Sequence, residues 1–327
     1  MMDQMAYITR IIPQPGLDLL SDAGFTIQVN PEDRTLSHDE LLRAVSGKHG
    51  ILCTLADTVD AAVIEAAGPQ CRGIASYAVG YNNIDIEAAT RRGLPVSNTP
   101  GVLTDATADL TWALLMCAAR RIVESDALMR SGRWRGWGPM QFLGADIAGA
   151  TLGIIGAGRI GAAVAKRASG FGMRILYTAR SAKPDIESSL GARFTDLDTL
   201  LCESDFVSLH VPLTAETRHL IGPRELSLMK QTAILVNTSR GPVIDETALV
   251  EALRRRTIFA AALDVYENEP AVAPGLAALP NAVICTHIGS ATVGTRTAMA
   301  LMAAQNLIAM LRGERAPNCV NTQVYQR

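Results

Sequence analysis

The stretch Thr151-Leu152-Gly153-Ile154-Ile155-Gly156-Ala157-Gly158-Arg159-Ile160-Gly161 constrains the fold of this chain more than any other. A short β-branched apolar run ends in G-x-G-x-x-G, and Ala162-Ala163-Val164-Ala165-Lys166-Arg167 continues it with good helix formers. Strand, glycine turn and helix thus follow one another in the order a dinucleotide site needs. Gly156 admits the tight turn, Gly158 lets a pyrophosphate approach the backbone, and Gly161 lets the helix lie close on the strand. The free N–H groups at the start of that helix, with Arg159 and Ile160, face the anion. A Gly-rich βα turn without a ligand is the alternative, and the agreement of strand and helix signals on both sides argues against it.

Around this turn, short apolar runs alternate with helical patterns along the whole chain. Before it, strands are expected at 7–12, 25–29, 50–53, 72–76 and 95–97, with helices at 16–23 and 61–67 and a capping box opening another at Ser37-His38-Asp39-Glu40. After it, strands are expected at 151–155, 174–177, 206–209, 233–237, 260–263 and 283–285. Asn98-Thr99-Pro100-Gly101 is a strong breaker, and a long, largely apolar helix at 104–120 follows it. A second long helix, rich in Ala, Met and Leu, runs from His287-Ile288-Gly289-Ser290 to about residue 311 and is expected to carry the chain back to the N-terminal lobe. The pattern predicts an α/β protein of two doubly wound parallel-sheet lobes. A Rossmann cofactor domain at 100–288 is inserted in a discontinuous, flavodoxin-like substrate domain formed by 1–99 and 289–327, with the active site expected in the cleft between them.

Composition narrows the partners. Of 327 residues 48% are hydrophobic, and the net charge of -2 comes from interspersed signs, which excludes a basic nucleic-acid footprint and points to small-molecule ligands. Six cysteines stand singly in apolar runs with no C-x-x-C, so reduced, buried thiols are expected, with neither a metal site nor a disulfide framework. The start lacks a basic n-region and apolar h-region, and no apolar run is long enough to span a bilayer, so a cytoplasmic protein without membrane association is expected. The stretch 131–139 has no regular period and holds Trp134 and Trp137 among arginines. An arm packing on another subunit is expected there, the alternative being a loop that covers its own domain.

Six blocks in order resemble the D-2-hydroxyacid dehydrogenase family, and within it the glyoxylate/hydroxypyruvate reductases. Besides the glycine turn these are Ala75-Ser76-Tyr77-Ala78-Val79-Gly80-Tyr81-Asn82-Asn83-Ile84-Asp85, Thr99-Pro100-Gly101-Val102-Leu103-Thr104-Asp105-Ala106-Thr107-Ala108-Asp109, Asn237-Thr238-Ser239-Arg240-Gly241, Asp264-Val265-Tyr266-Glu267-Asn268-Glu269-Pro270 and Thr286-His287-Ile288-Gly289-Ser290. The resemblance implies reduction of small 2-keto acids to 2-hydroxy acids, glyoxylate to glycolate and hydroxypyruvate to D-glycerate. Such a reaction needs a hydride at the carbonyl carbon, a proton at its oxygen and a fixed cation for the carboxylate. His287 is the natural proton donor, because imidazole titrates near ~6.5. Glu269 can hold its other ring nitrogen, and Arg240 can take carboxylate and keto oxygen with a planar fork that Lys lacks. The resemblance implies those roles, and adds the backbone N–H groups of Val79 and Gly80 for the rest of the carboxylate. It also implies that Asp264 accepts from the nicotinamide carboxamide, the alternative being an Asp that caps the next turn, with Thr104, Thr238 and Ser239 completing that pocket; that His210 stands beside the adenosine, the alternative being a plain strand-end residue; that Val211, Pro212, Thr217 and Gly289 also bind the cofactor; and a homodimer through the cofactor domain and the 122–148 arm. His38, His49 and His219 read as surface residues.

The choice between nicotinamide cofactors rests on the residues themselves. An NAD site places an acid ~20 residues after the glycines, at the end of the second strand, to accept from the ribose 2′-OH. Leu176-Tyr177-Thr178-Ala179-Arg180-Ser181-Ala182-Lys183 has none there. Arg180, Ser181 and Lys183 suit a 2′-phosphate, so NADP(H) is preferred, with NAD(H) as the alternative if the cations are ordinary surface charges. Two readings remain beside the reductase: another D-2-hydroxyacid dehydrogenase using NADH, and a dinucleotide-sensing binding protein on the same scaffold, which would have no need of a proton donor.

Overall fold

A computed structural model describes residues 4–326 and divides the chain into two compact units. One holds the chain up to Leu103 together with the chain from Ser290, the other Thr104–Gly289. The division falls after Leu103 rather than at 99, because Val102 and Leu103 pack on the first unit's core. It falls after Gly289 rather than 288, because the Gly289 amide is tied to Asp264 of the second unit.

The first unit is built on Met5–Ile8 (β1), Thr26–Val29 (β2), Gly50–Cys53 (β3), Ile74–Ser76 (β4) and Val96–Ser97 (β5), all parallel in the order β2-β1-β3-β4-β5. That is the flavodoxin-like order. β3 and β4 are buried along their whole length, as expected of parallel strands covered on both faces. On one face lies the helix Val293–Leu311, whose Ala300, Ala303, Ala304 and Leu307 join Ile8, Leu52 and Ala75 in one core. Its small residues have a purpose: a Cβ on Gly16 would come within 2.8 Å of the Ala300 Cβ, so the helix Gln14–Asp22 packs almost backbone to backbone against it. The helix His38–Val45 opens with the capping box, Glu40 accepting from the Ser37 amide at 2.8 Å. The first strand ends at Ile8, not at 12: Ile11 is exposed, and Pro13 precedes the next helix, so the apolar run Ile11-Ile12 is a connection.

The second unit carries Thr151–Ile155 (β6), Arg174–Thr178 (β7), Arg193–Phe194 (β8), Phe206–Leu209 (β9), Ile234–Asn237 (β10), Ala260–Leu263 (β11) and Ala282–Ile284 (β12). The order β12-β11-β10-β9-β6-β7-β8 is doubly wound, and every pair is parallel. There are seven strands rather than six, since the two-residue edge strand β8 is too short to leave a periodic trace. The helix Thr104–Ala119 lies on this sheet, with Trp112 and Leu115 in the core beside Ile234, Val236 and Ala262, and the Trp112 indole donating to the Val164 carbonyl at 3.1 Å.

One further expectation changes. Cys53 and Cys71 are buried, but Cys202 is exposed on the outer side of the helix Leu197–Glu203. The 122–148 segment begins with a helix, Ile122–Arg130, none of whose residues is buried. No helix among the described residues is long and apolar enough to cross a membrane.

Candidate active site

The glycine turn sits where the strand order reverses, with β6 paired to β7 on one side and β9 on the other. Ligands of doubly wound sheets bind at such a point, beyond the strands' carboxyl ends. Gly156 has φ +99°, and a Cβ there would lie 2.7 Å from the His210 carbonyl carbon. A Cβ on Gly161 would overlap the Gly156 carbonyl oxygen, so this glycine sets the approach of the helix Arg159–Ala168 to the strand. Gly158, immediately before that helix, has nothing within 4 Å of its Cβ position. Two glycines are filled by the protein and the third is open at a helix N-terminus, an arrangement that fits a pyrophosphate.

At the end of β7, Arg180 and Ser181 are exposed and Lys183 is half-buried. The loop is fastened by Tyr177, whose hydroxyl accepts from the Lys183 amide at 2.6 Å and donates to Glu187 at 2.7 Å. At the end of β9 the His210 amide donates to the Ile155 carbonyl, and its Nε2 lies 2.8 Å from Ser208 Oγ. Burial pushes the His210 ring down to about 3, so it stands neutral beside the glycine turn. Thr217 closes the loop that follows, its hydroxyl donating to the Pro212 carbonyl at 2.6 Å, past Val211.

The acid–base residues come together at the ends of β10, β11 and β12. His287 Nδ1 lies 2.9 Å from Glu269 Oε2, and the other Glu269 oxygen accepts from the Tyr266 amide at 3.0 Å. Among the described residues the His287 Nε2 has no hydrogen-bond partner. His287 itself has φ +56°, a left-handed conformation uncommon outside glycine. It is held there by Asp264, whose two carboxylate oxygens accept from the Ile288 and Gly289 amides at 2.7 Å each. Asp264 is therefore already engaged as a clamp on the loop that carries His287, although each oxygen can accept again. Burial pushes its pKa up, against the Ile288 and Gly289 amides and the His287 charge. Burial would also raise Glu269, but the hydrogen bond and charge of His287, the Tyr266 amide and the Arg240 charge outweigh it and hold that carboxyl below the ordinary range.

Arg240 follows β10. Burial lowers its pKa while the Glu269 charge opposes the change, so the two charges sense each other. Its guanidinium donates to the Ser239 carbonyl at 2.8 Å, and its own carbonyl accepts from the Asn237 side chain at 2.9 Å. Asn237 also accepts from the Ser239 amide and hydroxyl at 3.0 and 2.8 Å, and Thr238 is buried with its hydroxyl 2.8 Å from that of Thr111. Thr104 opens the helix Thr104–Ala119. Three residues not expected from the sequence do the positioning. A Cβ on Gly241 would overlap the Tyr266 carbonyl, so only glycine lets the Arg240 loop lie against the Glu269 loop. Tyr266 ties that loop to the next strand end by donating to the Cys285 carbonyl at 2.6 Å, and Asn237 braces the Arg240 turn. Glycine and asparagine after a strand were visible signals of a tight turn; the partner across it was not.

Val79 and Gly80 lie in the first unit, half-buried, beyond β4. His38 and His219 are exposed, yet each is paired, with Asp60 at 2.9 Å and Glu267 at 2.6 Å respectively, while His49 Nδ1 accepts from the Met5 amide.

A family model described as D-isomer specific 2-hydroxyacid dehydrogenase, NAD binding domain, matches residues 112–289. Glyoxylate reductase from Thermococcus gammatolerans is 51% identical over 99% of this chain and 97% of its own length. A solved glyoxylate reductase from Paecilomyes thermophila superposes with a TM-score of 0.87 at 35% identity, covering 99% of this chain and 100% of that one. An NADPH-dependent glyoxylate/hydroxypyruvate reductase from Sinorhizobium meliloti, solved with NADP and malonate, gives 0.84 at 32% identity, covering 97% and 96%.

Proposed function

Because the chain belongs to the D-isomer specific 2-hydroxyacid dehydrogenase family, in its glyoxylate reductase branch, we propose that it reduces glyoxylate and hydroxypyruvate with a preference for NADP(H). The reduced nicotinamide, when bound, supplies a hydride to the carbonyl carbon. His287 delivers the proton to the carbonyl oxygen from Nε2, while Glu269 fixes the ring through Nδ1. Arg240 takes the carboxylate and keto oxygen, and the Val79 and Gly80 amides take the rest of the carboxylate. Gly156, Gly158, Arg159, Ile160 and Gly161 receive the pyrophosphate, and Arg180, Ser181 and Lys183 the 2′-phosphate. His210, Val211, Pro212 and Thr217 border the adenosine, and Thr104, Thr238, Ser239, Asp264 and Gly289 border the nicotinamide.

The observation that carries this reading is the assembly of Arg240, Glu269 and His287 in one unit, with the imidazole 2.9 Å from the carboxylate and the guanidinium within reach of its charge. A dinucleotide sensor has no use for that set. Initial rates of NADPH and NADH oxidation with glyoxylate, hydroxypyruvate and pyruvate test the reading. Fast NADPH-dependent turnover of the first two is expected; a clear NADH preference refutes the cofactor assignment, and no turnover with any of them refutes the reductase.

The same proposal includes a homodimer. Ile122, Val123, Met129, Trp134, Trp137, Met140 and Leu143 are exposed, Trp137 to 83%, and an apolar surface of that kind marks an interaction site. Light scattering at assay concentration is expected to give twice the chain mass; the mass of a single chain refutes it.

A further inference from the structure

In the first unit the two carbonyls that precede the Val79 and Gly80 amides are both clamped. The Ala78 carbonyl accepts from the Thr99 amide at 2.9 Å, and the Val79 carbonyl accepts from the Asn98 side chain at 2.8 Å. A trans peptide is planar, with its C=O and N–H on opposite sides. Both carbonyls face the segment 98–99, so the N–H groups of Val79 and Gly80 both face away from it. Neither N–H has a hydrogen-bond partner among the described residues. For the 78–79 peptide the clamp is main chain. For the 79–80 peptide it is a single side chain.

That side chain is itself braced. The Asn98 amide donates to the Asn318 carbonyl at 3.2 Å, and the Asn98 carbonyl accepts from the Asn306 side chain at 3.2 Å. Asn306 Oδ1 in turn accepts from the Asn318 amide at 3.0 Å. Asn306 is wholly buried in Val293–Leu311, on the same helix as the core residues Ala303, Ala304, Leu307 and Met310, where a carboxamide without partners would cost about 1–3 kcal/mol. It is retained there with both ends bonded, and what it fixes is the backbone that presents Asn98.

We propose that Asn98 is a positioning residue for the substrate carboxylate: by holding the Val79 carbonyl it aims the Gly80 N–H, and Asn306 holds Asn98 in place. This rests on the reading of Val79 and Gly80 as part of the carboxylate site. The ligand class follows from the geometry, since two unpaired, co-oriented N–H groups suit a small carboxylate better than a carboxamide, which brings donors of its own.

The test is Asn98→Ala, with Asn98→Asp as the second variant because it keeps the side-chain shape and replaces the donor by a carboxylate facing the Val79 carbonyl. The KM for glyoxylate is expected to rise about tenfold or more while kcat changes less than about threefold, the signature of lost uniform binding. The NADPH dissociation constant is expected to stay within about twofold. Hydrogen exchange supplies a readout that needs no turnover: oxamate slows exchange of the Val79 and Gly80 amides in the parent protein and not in the variants. Folded variants with an unchanged KM and unchanged oxamate protection overturn the proposal, as does a joint fall of kcat and NADPH affinity. A parent protein in which oxamate leaves those amides unprotected overturns the carboxylate site itself, and the role of Asn98 with it.

Discussion

The two units share a parallel sheet and place loops beyond its strand ends, but they fill those loops with different chemistry. In the second unit the loops after β10, β11 and β12 carry Arg240, Asp264, Glu269 and His287, every one charged or titratable and linked by charge or by short hydrogen bonds. In the first unit the loop after β4 is held by Thr99, Asn98 and Asn306, all neutral. The difference is one of division of labour. Proton transfer needs groups whose charge can change, and an anion receptor needs donors whose direction cannot. On the proposed function, the pH dependence of the reaction belongs to the second unit and pH-independent recognition to the first.

Glu269→Gln is the largest perturbation that separates them. Replacing the carboxylate 2.9 Å from the imidazole is expected to lower kcat/KM by about a hundredfold and to move the alkaline limb of its pH profile to lower pH. Asn98→Ala should leave that limb where it was. If both variants shift the limb, or neither does, the division between the units fails.

Cofactor choice comes next, with a smaller effect. Arg180→Ser is expected to raise the KM for NADPH about tenfold and to leave that for NADH within about twofold, since a 2′-phosphate loses its cation. Parallel changes for both cofactors would mean that Arg180 is an ordinary surface charge.

His210 gives an effect that is read on stability. In the folded unit burial pushes this ring down to about 3, whereas an unfolded imidazole takes its proton near ~6.5. Between those values the unfolded chain binds more protons, so the contribution is intact above ~6.5 and is lost as the pH falls, by up to about 1.4 kcal/mol per pH unit. Urea unfolding from pH 7 to 5 should show that slope and His210→Gln should flatten it; equal slopes would place the ring in contact with water.

How much of this was legible beforehand differs between local and distant contacts. The turn at Gly156 and the close packing at Gly161 follow from spacing alone, because both are settled within a few residues of chain. The Ser37 capping box is legible for the same reason. Most of the parallel strands announce themselves as apolar runs; the two-residue β8, the partly exposed β2 and the connection at Ile11-Ile12 do not follow that rule. Residue type and the family blocks nominate Arg240, Glu269 and His287, and the sheet brings 240, 269 and 287 to neighbouring strand ends. What the chain order hides is which backbone lies across from which: Gly241 against Tyr266, Asn98 against Val79, Asp264 against two amides some two dozen residues on. Those pairings depend on loops from separate strands, and Cys202 shows the same limit, since an apolar neighbourhood in sequence does not bury a residue on the outer side of a helix.

The proposed delivery of the proton by His287 is to be examined first, by measuring turnover of glyoxylate and binding of NADPH side by side in His287→Gln. Turnover is expected to fall by about a hundredfold to ten-thousandfold while the NADPH dissociation constant stays within about threefold of the parent. Turnover and binding falling together, or turnover within about threefold of the parent, would contradict it.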